Sequence, residues 1–228
     1  MLRLIVLAAG VLSGCGVGTQ GQTTQFLLIA RERLRPGSDQ AYNENERQLA
    51  RICATLKCPH PYLALASLTG PTEVWWLNAF TSAEERDDLE PAYARNEPLM
   101  AAMRPLGKRK EDFRETFTST MTIYRQDLSG GSVLRIAGTR FFVIQRTYDQ
   151  HKSTGAVFES SAGERFVIAD AKSRADADEI AARSGPGAMI LSVQPQWSFP
   201  AESWIQADPE FWDAAGNTRR PEPSKRSS

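Results

Sequence analysis

Phe26-Leu27-Leu28-Ile29-Ala30-Arg31 and Phe141-Phe142-Val143-Ile144-Gln145-Arg146 repeat one pattern, an almost unbroken apolar run that ends in arginine. A strand with one wet face alternates apolar and polar residues; a run without alternation is covered on both faces. A second echo lines up Val74-Trp75-Trp76-Leu77-Asn78-Ala79-Phe80 with Phe166-Val167-Ile168-Ala169-Asp170-Ala171-Lys172. Each run leads to a hydroxyl with an acid three positions later, Thr81/Glu84 and Ser173/Asp176, which is capping-box spacing. Phe26 and Val74 stand 48 residues apart, whereas Phe141 and Phe166 stand 25 apart. The missing stretch is the length of one helix and its loop, so the second copy is expected to lack its first helix.

Working outward, residues 26–34 read as a strand, with a turn at Arg35-Pro36-Gly37 and a helix over 39–57. Tyr42, Leu49, Ile52, Cys53 and Leu56 form the apolar stripe of that helix. Strands follow at 62–68 and 73–80, and a helix begins near Ser82. Pro91, Pro98 and Pro105 break 83–114 into several short helices, since proline is tolerated in a first turn and not mid-helix. Residues 116–124 are rich in threonine and aromatics, which favours a strand, although Phe113, Phe117, Met121 and Tyr124 also space as a helical stripe. The second copy reads strand 140–148, strand 155–160, strand 165–171, helix 173–183, strand 188–198.

The expected class is α+β. Residues 26–126 form a ferredoxin-like βαββαβ unit and 139–198 a shortened second one. On this element order and strand character, the chain resembles the dimeric α/β-barrel proteins of the antibiotic-biosynthesis-monooxygenase-like group. The resemblance implies two ferredoxin-like sheets packed face to face, here as an intramolecular pseudo-dimeric barrel that a monomer can close. It also implies a choice of roles: cofactor-independent monooxygenases, haem-degrading enzymes, and proteins without known activity. The haem-degrading members share an Asn, Trp and His set. Trp75, Trp76 and Asn78 are present, but His60 and His151 fall in loops, so that activity is not carried over.

Composition narrows the classes further. The 228 residues are 41% hydrophobic and 24% charged, enough for a real core and unlike a disordered chain, coiled coil or collagen. Lys+Arg and Asp+Glu balance at 27 each, which argues against a general nucleic-acid binder. The apolar run Leu4–Leu12 is shorter than the ~20 residues that span a bilayer. It fits a signal peptide over 1–14. Leu12-Ser13-Gly14-Cys15 resembles the lipobox of bacterial lipoproteins, which implies a lipid on Cys15, a tether over 15–25 and a place in the cell envelope. Gly16-Val17-Gly18-Thr19-Gln20-Gly21 matches a dinucleotide fingerprint, but a strand pattern follows where that motif needs a helix.

With Cys15 set aside, Cys53 and Cys58 remain. In an oxidising envelope they are expected to pair as a disulfide, provided the last helical turn unwinds; buried thiols are the next reading. A metal site with His60 would be short of ligands for zinc, so no metal is expected.

No hydrolase, zincin or P-loop motif is present, and no cofactor is expected. Arg31/Arg146 and Asn78/Asp170 recur as polar positions inside apolar strands, either as wet strand ends or as the lining of a pocket with Trp76. Arg104, Lys108, Arg109, Lys110 and Arg114, interleaved with acids, read as a solvated helix face. Trp197, Phe199, Trp204, Phe211 and Trp212 crowd the end of the chain; 199–215 is expected to dock on the domain, a membrane-interface belt being the alternative, and 216–228 to be disordered. The expected function is an envelope lipoprotein that binds a small apolar or aromatic molecule. Oxygenation of such a molecule and a structural or partner-docking role are the alternatives.

Overall fold

The computed structural model describes residues 24–149 and 153–213. The lipobox, the glycine motif, His151 and the polar tail lie outside them. The elements run β1 (Phe26–Leu34), α1 (Asp39–Leu56), β2 (Leu63–Ser67), β3 (Glu73–Phe80), α2 (Ala83–Asp87), α3 (Leu89–Ala94), α4 (Glu97–Lys110), β4 (Arg114–Tyr124), β5 (Phe141–Thr147), β6 (Ala156–Ser160), β7 (Arg165–Ala171), α5 (Arg174–Ser184), β8 (Met189–Val193), α6 (Glu202–Ala207) and α7 (Pro209–Asp213). Residues 116–124 are strand, as their β-branched content favoured.

The strands close into one barrel in the order β1-β3-β2-β8-β5-β7-β6-β4. Every pairing is antiparallel. Two sheets packed face to face as one intramolecular barrel were expected. The barrel is closed by hydrogen bonds along both seams, since β2 bonds to β8 and β4 to β6 and so joins two four-stranded arcs. Ring closure removes every sheet edge.

Directly paired residues share a face. Leu27 and Ile29 on β1 thus point inward with Leu77 on β3, and Phe142 and Ile144 on β5 with Ile168 on β7. Ile136, Ile205 and Trp212 extend this core at one end, so the C-terminal helices pack into the barrel rather than hang from it. Outside, α1 covers the first arc through Tyr42 against Leu34, Ala64 and Val74, and α4 packs on α1 through Leu99 and Cys53, while α5 covers the second through Ala177.

Registry corrects the alignment of the two halves. Arg31 pairs with Trp75, and Arg146 pairs with Phe166. Trp75, not Val74, therefore matches Phe166, and a constant separation of 91 residues links Glu73 to Glu164, Leu77 to Ile168 and Ser82 to Ser173. Ser82 caps α2 by accepting from Glu85 N, and Ser173 caps α5 by accepting from Asp176 N. The expected cap Thr81 instead receives the Glu85 carboxylate on its N–H and hydroxyl.

Pro105 also departs from expectation, since it sits inside α4. Its ring removes a bond to the carbonyl of Ala101, but both residues are exposed, so that carbonyl is open to solvent.

Candidate functional site

The outer face of the first arc carries a partly open row. Leu28 pairs with Asn78 on one side and Met121 on the other, and Ala30 pairs with Trp76 and Ser119. These residues are all partly or fully exposed, while Glu32 and Val74 beyond them are buried. Trp76 meets Tyr62 edge-on at 5.7 Å, and Lys110 Nζ stands 4.3 Å from its ring centre. The Trp76 indole N–H is buried without a partner.

Asn78 donates from Nδ2 to the carbonyl of Pro61 at 3.2 Å. The same carbonyl lies 2.9 Å from His60 Nδ1, so His60 and Asn78 come together although the sequence places them apart. His60 is not free to act as a ligand: Nε2 is 3.0 Å from Glu85 and the ring lies on Phe80. Burial works to raise the Glu85 carboxyl, yet it is held below its ordinary range by hydrogen bonds from Thr81 and His60.

Behind this row sits a polar network that the sequence reading missed. Tyr42 donates its hydroxyl to Glu32. Lys110 Nζ is 3.1 Å from Glu32 and 3.3 Å from Glu46, and Arg114 is 3.1 Å from Glu32. Glu32 and Glu46 are 2% and 1% exposed. Lys110 and Arg114 are thus turned inward, not spread on a solvated face, because two buried carboxylates need counter-charge. Burial pushes the Glu46 carboxyl up to about 7, with Lys110 pulling it down and Glu32 adding repulsion. Asn45 donates to Glu46, while its Oδ1 is buried and unpaired. The spacing 42, 45, 46, 49, 53 placed Asn45 and Glu46 on the stripe of α1; only their polarity hid them.

The five residues singled out from sequence do not converge. Trp76 and Asn78 face outward, beside the helices. Arg31 and Arg146 face inward at one end of the barrel. Asp170 pairs with Phe142 near the other end and lines a cleft of about 300 Å³ with Ser132, Arg135 and Arg183. Asn78 and Asp170 are not equivalent, because the one-residue slip in alignment moves one of them to the opposite face. A second cleft, of about 370 Å³, lies over Gln145, Val157, Arg165 and Val167, on the arc that carries one helix fewer.

Cys53 and Cys58 are joined, with Cα atoms 4.7 Å apart. The helix keeps its last turn; the reversal falls on Lys57, whose φ of 57° is left-handed, and Cys58 N–H returns to the Cys53 carbonyl. Among the described residues no group of His, Cys, Asp and Glu could hold a metal. None of their helices is long and apolar enough to cross a membrane.

No protein-family model matches the chain, and no curated protein matches it. Solved structures do. One, described as "Putative monooxygenase" from Fusobacterium nucleatum, is 6% identical, with a TM-score of 0.48 over 75% of this chain and 93% of that one. A NIPSNAP family protein from Agrobacterium tumefaciens is 15% identical, with a TM-score of 0.37 over 46% of this chain and 89% of that one. A third, described as "Putative Chlorite dismutase", is 15% identical, with a TM-score of 0.43 over 76% of this chain and 96% of that one. No residue role is carried over from any of them.

Proposed function

We propose that this chain is a lipid-anchored envelope protein that binds a small apolar or aromatic molecule on the outer face of its first arc. The observation that carries this is the open row of Leu28, Ala30, Trp76, Asn78 and Met121. It combines apolar area with the Asn78 amide, the mixture a ligand site uses for affinity and orientation. The anchor rests on Leu12-Ser13-Gly14-Cys15, and the Cys53–Cys58 pair fits an oxidising compartment. The barrel is read as an internal pseudo-dimer, supported by β4-β1-β3-β2 and β8-β5-β7-β6 being the same order of the strands within each half.

Tryptophan fluorescence titrated with quinols and aromatic acids tests the site. Met121→Arg, on the exposed strand β4, is expected to weaken any binding about tenfold or more by placing a charge in an apolar contact. Unchanged binding in that variant and in Trp76→Ala would remove this site. Mass spectrometry of the mature protein from its host tests the anchor, and an unprocessed Met1 would sink it.

A second reading, cofactor-independent oxygenation of the bound molecule, is favoured by Glu46. It is a carboxyl raised to about 7, buried behind the row and linked through Lys110 to Trp76. Oxygen uptake with a binding compound, lost in Glu46→Gln while binding persists, separates an oxygenase from a carrier.

A further inference from the structure

The inward-facing arginines occupy a second place, inside the barrel and apart from the outer row. β1 and β5 lie four strands apart in either direction round the ring, on opposite walls. Arg31 sits level with Trp75 and Arg146 with Phe166, and these two rings touch across the interior at 6.1 Å. The two guanidinium groups therefore stand over a common aromatic floor. Glu73 flanks Arg31, and Glu164 flanks Arg146.

The carboxylates balance the charge but leave Arg31 underbonded. Glu73 commits Oε2 to the Trp75 indole at 2.9 Å, and its Oε1 stands 3.7 Å from Arg31, beyond hydrogen-bond reach. The Arg31 side chain is 17% exposed, packs 4.7 Å over the Trp75 ring, and has a buried Nε without a partner. Arg146 bonds Glu164 from Nε at 2.6 Å and is 45% exposed, so the mouth is open to solvent on that side. Burial lowers the Arg31 pKa and the charge of Arg146 lowers it further, against the upward pull of Glu73 and Glu164, as expected of two cations that share one space. A largely buried guanidinium whose Nε lacks an acceptor, facing a second guanidinium that Glu164 holds at Nε and Nη2, presents the charged planar donors with which proteins hold oxyanions.

We propose that the mouth of the barrel binds a small oxyanion, a carboxylate or phosphate group, held between the guanidinium groups of Arg31 and Arg146 above Trp75.

The test is NMR of the arginine Nε–Hε signals in the full chain, titrated separately with inorganic phosphate and benzoate. The expected result is a saturable shift of the Arg31 signal. A response to benzoate alone assigns a carboxylate ligand, to phosphate alone a phosphate group, and to both a general oxyanion site. Arg146→Gln is expected to weaken the response about tenfold, as loss of one charge-assisted contact does. Arg146→Lys keeps the charge without the fork and serves if the glutamine variant does not fold; it should weaken benzoate more than phosphate. An Arg31 signal unmoved by either anion overturns the proposal, as does a response that neither Arg146 variant changes.

Discussion

Glu46 is buried beside Lys110 and Glu32, and its carboxyl is raised from 4.5 to about 7. The unfolded chain releases this proton at its ordinary pKa, so between about 4.5 and about 7 the folded state holds more protons than the unfolded state. Stability contributed by the protonated form is therefore full below about 4.5 and is lost as pH rises through about 7, by up to about 3 kcal/mol. Thermal unfolding followed across this range should show Tm falling with pH. Glu46→Gln should flatten that slope, because the amide is neutral throughout; an unchanged slope would place the titrating group elsewhere. Cys53 and Cys58 carry a second prediction at this scale. Reduction opens a short loop and should lower stability by about 2 kcal/mol, read as a drop in Tm with dithiothreitol. The sequence made the cysteine pair legible through count, two cysteines remaining five residues apart once Cys15 is set aside. It hid Glu46, since an acid at a stripe position looks like a solvated residue until Lys110 at the end of α4 folds over it.

The strands were the most legible elements. The spans 73–80 and 165–171 match β3 and β7, because runs covered on both faces have no competing period. Their relative register was not legible. Val74 and Trp75 are both apolar, so only the ladder could show that Trp75 is the partner of Arg31 and faces inward. That slip explains why Asn78 and Asp170 looked equivalent while lying on different faces. The start of β6 depends on a glycine for a reason that pattern alone cannot give. A Cβ on Gly155 would stand 2.8 Å from the Ile168 carbonyl oxygen and 3.0 Å from a Val167 methyl group. Gly155→Ala must push β6 away from β7 and should cost about 1–3 kcal/mol. Urea unfolding should show the loss as a lower midpoint; wild-type stability in the variant would mean the two strands can separate at no cost.

At the scale of the molecule, the two ends of the barrel differ. One end holds the arginines and glutamates. The other is closed by Ile136, Ile205 and Trp212, with Trp204 and Phe211 packed against them. The closing segment is pinned from the wall: Arg140 reaches Asp208 at 2.5 Å and lies 3.7 Å over the Phe211 ring. Trp212 is 2% exposed, which leaves little of it to meet a bilayer. The docked and membrane-belt readings of these aromatics therefore make opposite demands on one substitution. If the segment is a plug, Trp212→Ala opens a cavity in the main core and should cost about 3–5 kcal/mol, with increased binding of a hydrophobic dye. Trp212→Phe should cost less, because it keeps most of the apolar contact and removes an indole N–H that has no partner. If the segment is a belt, both variants keep wild-type stability and lose affinity for lipid vesicles instead. Denaturant unfolding and vesicle sedimentation on the same two variants decide between them. The burial of Trp212, and the cation held over its neighbour Phe211, favour the plug.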